Sequence, residues 1–166
     1  MKKIVLLVLL GLITFTVNAQ SKKKKQTAGW IASNYEVECL GTGMDGTQLV
    51  KVWGYGKKPD DAMIEAKRNA VHAMLFKGIY AGKPGCATKP IVTEANAQQK
   101  HSDYFESFFA NGGKYLQFIS LSGEGVQERV KVGKQYKVAI NVSVMHSALR
   151  KELEAAGIIK SLGGGF

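Results

Sequence analysis

The sequence predicts an α+β fold: an antiparallel sheet of four to five strands with two or three helices packed on one face. Three observations carry this. Strand and helix periodicities follow one another irregularly, as strand, strand, helix, helix, three strands, helix, rather than alternating. One long segment has a stripe of alanines at helical spacing. One late segment, Tyr136 to Val144, alternates apolar and polar without a break. The chain has 166 residues, 45% hydrophobic and 22% charged, which suits a single globular domain and excludes wholesale disorder.

The first strand is read at Tyr35 to Leu40, with Tyr35, Val37 and Cys39 on one side and Glu36 and Glu38 on the other. Gly41 to Gly46 is a turn. Leu49 to Tyr55 returns as the second strand, making a hairpin. Pro59 suits a first helical position, and Asp60 and Asp61 suit the positive end of a helix dipole. Ala62, Ala66, Ala70 and Ala73 then line one stripe, a surface that lets a helix axis approach a sheet closely. Gly78 ends that helix.

Residues 81–92 hold two of the three prolines and read as a loop. Thr93 is placed to cap a second helix running to about Ala110. Its residues Tyr104, Phe105, Phe108 and Phe109 form one aromatic face, which is either core or a surface for a partner. Asn111-Gly112-Gly113 stops it. Tyr115 to Leu121 and Val126 to Val132 read as the third and fourth strands, the latter with Gln127, Arg129 and Lys131 outward. Gly133-Lys134 has the glycine-first form of a two-residue hairpin turn. Tyr136, Val138, Ile140, Val142 and Val144 face inward on the fifth strand. A last helix, Ser147 to Ala156, turns Leu149 and Leu153 inward before Gly157.

The N-terminus reads as an address. Lys2 and Lys3 precede an apolar run from Ile4 to Val17, shorter than the roughly 20 residues a membrane span needs. Val17-Asn18-Ala19 then offers small residues to a signal peptidase. Residues 1–19 are therefore expected to be a secretory signal peptide. Residues 20–34 form a basic flexible arm ending near Trp30, 35–160 a single α+β domain with an insert at 81–113, and 161–166 a tail. The formal charge is +10, from 23 bases and 13 acids, and six of those bases lie in the first 25 positions. The run Lys22, Lys23, Lys24 and Lys25 is either a solvated tether or a contact for anionic lipid or cell-wall polymer.

Cys39 and Cys86 are the only cysteines. In an exported chain an even count invites a disulfide, which would stabilise by roughly 4 kcal/mol on chain-entropy grounds. Two buried free thiols are the other reading, because spacing alone does not bring two Cα atoms together.

No motif carries chemistry. Gly41-Thr42-Gly43-Met44-Asp45-Gly46 fits G-x-G-x-x-G on paper, but a strand follows where a dinucleotide site needs a helix. Gly54-Tyr55-Gly56-Lys57-Lys58 lacks phosphate-loop spacing, and Asp60 and Asp61 would repel an anion there. His72, His101 and His146 are scattered, with no metal-ligand spacing. Glu94, Asp103 and Glu106 read as a solvated face. The serine-nucleophile motifs are absent. No cofactor and no catalytic residue is expected. Nucleic acid is not expected either, with only three arginines, the commonest base reader.

The strand Val52-Trp53-Gly54-Tyr55-Gly56, followed by Ala62, Ala66 and Ala70, resembles the domain of LPP-type bacterial envelope lipoproteins. It is also similar to the N-terminal domain of the flagellar assembly protein FlgT. Lys134-Gln135-Tyr136-Lys137-Val138 and the helix with Leu149 and Leu153 extend the resemblance over residues 47–157. It implies a compact, non-catalytic domain that serves assembly or scaffolding in the periplasm or at the outer membrane. This chain departs from the pattern in having no lipidated cysteine and in its insert.

The expected function follows: an exported, non-catalytic envelope protein that binds other envelope proteins. Two alternatives stand beside it. One is a binder of anionic polymer or lipid through Lys22–Lys25, and the other is a small periplasmic enzyme.

Overall fold

A computed structural model describes residues 34–161. The expected signal peptide (1–19), Lys22–Lys25, Trp30 and residues 162–166 lie outside the described residues.

The fold is α+β. Its elements are β1 (Val37–Thr42), β2 (Gln48–Gly56), α1 (Pro59–His72), β3 (Ala81–Gly82), α2 (Ala97–Lys100), α3 (Ser102–Phe108), β4 (Ile119–Val132), β5 (Gln135–Val144) and α4 (His146–Ala155). The sheet order is β3-β1-β2-β5-β4. Every pairing is antiparallel except the short one between β1 and β3.

The central pair is β2 and β5, matched from Gln48 opposite Val144 to Gly56 opposite Tyr136. Period-2 alternation puts Val50, Val52, Val138, Ile140 and Val142 on one face, all buried. Each such side chain contributes about 1.5–3 kcal/mol on burial. Above them lies α1, whose Ala62, Ala66 and Ala70 are fully buried, as is Ala73 just after it. The alanine stripe meets two strand glycines. A Cβ built on Gly54 would sit 2.2 Å from the Ala62 carbonyl oxygen, and one on Gly56 would sit 2.4 Å from the Ala62 nitrogen. Backbone therefore touches backbone, which no larger residue permits.

Helix α1 continues into a π-helical turn, Ala73–Lys77, closed by the Gly78 N–H donating to the Ala73 carbonyl at 2.8 Å. The carbonyls released there are used by the insert. Ile91 N–H donates to Met74 O and Val92 N–H to Leu75 O, at 3.0 and 2.9 Å. These bonds tie residues 91–92 to the π-helical turn outside any helix, and the second helix does not start at Thr93. It starts at Ala97, after Asn96 in left-handed conformation (φ 61), and it breaks at His101 into α2 and α3. The expected loop 81–92 also contains β3, which pairs beside β1.

The third and fourth strands are corrected together. Lys114–Phe118 is a 3-10 turn, and Ile119 to Val132 is one strand. Two register shifts, between Leu121 and Val126 and between Val126 and Glu128, let it continue. Gly123 and Gly125 supply the left-handed backbone there, at φ 68 and 79. The shifts change which side chains share a face. Val130 and Val132 stand opposite Lys137 and Gln135, while Arg129 and Lys131 stand opposite the inward-facing Val138 and Tyr136. Gln127, Arg129 and Lys131 were expected outward from the sheet's buried face. By register Arg129 and Lys131 lie on the α1 side of the sheet, yet both are exposed.

Candidate functional site

The face of β2 and β5 turned away from α1 carries Lys51, Trp53, Tyr55, Lys137 and Asn141. Trp53 is buried even here. Lys51 Nζ lies 4.8 Å and Lys137 Nζ 5.6 Å from its ring centre. Each lysine then reaches a carboxylate across the sheet: Lys51 pairs with Glu128 on β4, and Lys137 with Glu36 at 2.9 Å. The hydrogen bond from Lys51 holds the Glu128 carboxyl below its usual range, and that to Glu36 raises Lys137. These pairs are solvent-exposed and add little stability, but they close the face over Trp53.

Beyond this lattice the sheet ends at β4. Among the described residues β4 pairs only with β5, so its other edge is unpaired. Nine large hydrophobic side chains are exposed among the described residues, and four of them, Leu121, Val126, Val130 and Val132, lie on this strand. Val130 is 53% and Val132 51% exposed, both on the open face. Arg129 and Lys131 make a basic row on the opposite side, and neither forms an ion pair among the described residues. At the tip Gly133 has φ 60 while Lys134 has a negative φ, the form of a type II′ turn. An open strand edge with apolar and charged rows can take an extended segment by main-chain hydrogen bonds.

The residues singled out from sequence fall elsewhere. Phe105, Phe108 and Phe109 are buried in the core, packed on Phe76, Tyr115 and Phe118. Tyr104 is half-buried, and its hydroxyl donates to the Glu152 carboxylate at 3.2 Å. Burial first, and Glu152 second, push that hydroxyl's pKa up. The aromatic face is thus core and not a partner surface, because α4 and the 3-10 turn cover it. Cys39 and Cys86 are joined by a disulfide, with Cα atoms 5.8 Å apart and 47 positions between them in sequence. It ties the insert to β1.

His72 lies buried between two partners. The Gln98 amide N–H donates to Nε2 at 2.8 Å, and in that tautomer Nδ1–H donates to the Tyr35 hydroxyl at 2.5 Å. Burial, then Lys77, lower its pKa to about 4, so it is a neutral structural link at neutral pH. No group of three or more His, Cys, Asp or Glu side chains among the described residues could hold a metal. None of the described helices is long and apolar enough to cross a membrane.

The alternation of Val126 to Val132 does not mark β4 as an edge, because it is the pattern of any half-buried strand. The signal was Gly123-Glu124-Gly125 inside strand-like sequence, which marks bulges. No protein-family model, curated protein or solved structure matches the chain.

Proposed function

We propose that this is an exported, non-catalytic envelope protein that binds other proteins, and that the β4 edge is its binding element. The observation that carries the reading is the outer edge of Val126 to Val132, unpaired among the described residues, with Val130 and Val132 half exposed on one face and Arg129 and Lys131 on the other. The occupant is an extended segment of another envelope protein. Its apolar side chains meet Val130 and Val132, and its acidic ones meet Arg129 and Lys131. Export is supported by the leader-like residues 1–19 and by the Cys39–Cys86 disulfide, a bond that persists in oxidising compartments. The resemblance of residues 47–157 to envelope assembly domains points the same way.

The test is Val130→Lys with Val132→Lys, charges that block strand addition at an edge. Both side chains are exposed, so thermal stability should stay nearly unchanged. Cross-linking in envelope preparations should recover a partner with the wild type and lose it with the double variant. Amides of residues 126–132 should gain hydrogen-exchange protection only in the wild-type complex. A partner recovered equally by both proteins would overturn the assignment of the edge.

The run Lys22–Lys25 favours a second reading, attachment to anionic polymer or lipid. Deleting residues 20–26 separates the two: loss of envelope association at low salt supports the arm, and retained association supports the folded domain.

A further inference from the structure

We propose that the groove between residues 86–93 and the first turns of α4 binds an oxyanion, a phosphate group on a small molecule or a lipid headgroup. This site is independent of the β4 edge. The run Val126–Val132 pairs with residues 135–140 of β5, whereas α4 follows the other end of that strand, after Val144.

The groove has a volume of about 550 Å³, and Thr88, Lys89, Thr93, His146 and Arg150 line it beside the disulfide. Every titratable side chain in its wall is a base. That is not the rule in this molecule: one other depression contains Glu94, and another contains Asp61 and Glu65. Among the described residues Lys89 makes no ion pair, and Arg150 meets a carboxylate only through Nε, 3.2 Å from Glu154, so its terminal guanidinium nitrogens have no ion-pair partner there. A guanidinium with its fork open is suited to a phosphate or carboxylate. Helix α4 opens here with no side-chain cap and no acid in its first turn, so the positive end of its dipole is not neutralised.

The wall is also held before any ligand arrives. Cys86 is bonded to Cys39 on β1. Ala87 N–H donates to the buried Gln48 side chain at 2.7 Å, and Ile79 N–H donates to Ala87 O at 3.1 Å. Ile91 and Val92 are bound to the π-helical turn. A site pinned at both ends loses little entropy on binding.

The experiment is a titration of the purified, disulfide-bonded protein with inorganic phosphate, followed by ¹⁵N chemical shifts, with sodium chloride at matched ionic strength as control. The amides of residues 88, 89, 91–93 and 146–148 should shift saturably with phosphate only. Lys89→Gln with Arg150→Gln should weaken binding at least tenfold while the circular dichroism spectrum stays unchanged. Shifts that never saturate, that spread over all surface lysines, or that persist in the double variant would overturn the site. A second arm uses vesicles of phosphatidylglycerol against phosphatidylcholine. Binding to the anionic vesicles that the double variant loses assigns a lipid headgroup. Saturable phosphate binding with no such vesicle dependence assigns a small phosphorylated molecule.

Discussion

Glycines in two strands of this sheet do opposite work. Gly54 and Gly56 in β2 sit where α1 presses its backbone against the sheet, and there is no room for a Cβ. Gly123 and Gly125 in β4 have room. A Cβ on Gly123 would meet nothing within 4 Å, and one on Gly125 would make only an ordinary contact with Leu121. What they supply is positive φ. The first pair closes the core, and the second redirects a strand so that its apolar row emerges into solvent. One region is limited by space and the other by backbone conformation.

Four perturbations sharpen that contrast. The largest effect is expected on the closed side. Cys39→Ser with Cys86→Ser removes the tie between β1 and the insert and should cost about 4 kcal/mol on chain-entropy grounds, read as a lower denaturation midpoint. A loss below about 1 kcal/mol would mean that the hydrogen bonds to Gln48 and to the π-helical turn hold the insert unaided.

Acid acts on the same core, through His72. Its folded pKa of about 4 lies below the unfolded value of 6.5, so the unfolded chain takes up the proton first. Stability is therefore full above pH 6.5 and falls as the pH drops from 6.5 to 4, by about 3 kcal/mol in all. Urea denaturation across that window should show the slope in the wild type and a flatter one in His72→Gln.

Gly54→Ala should cost about 3 kcal/mol, the upper end for overpacking, because the atoms it meets are backbone and cannot rotate away. Gly123→Ala should cost only about 1–2 kcal/mol, the penalty of a left-handed L-residue. Thermal melts of the two variants side by side test the distinction. Equal losses would mean that the β4 bulge is packed as tightly as the α1 contact.

Much of the covered side was legible beforehand. The alanine stripe, the alternation of β5 and the glycine-first turn at Gly133 are local repeats, and each lies where its period places it. The candidate sites were less legible. The ring of Phe105, Phe108 and Phe109 has the same spacing whether it faces a core or a partner, and only the arrival of α4 and the 3-10 turn decides. Lys89 and Arg150 lie 61 positions apart in the chain and share a groove because a disulfide and a π-helical turn fold the insert back.

By itself the sequence determined the α+β class, the strands β2 and β5 and the helices α1 and α4, because periodicity is set by neighbouring residues. Tertiary structure alone decided the pairing of Cys39 with Cys86, the placing of β3 beside β1 and the face on which Val130 and Val132 emerge. Those outcomes depend on which distant segment comes to lie against each surface, and on two bulges that reverse a strand's alternation. A local period contains neither.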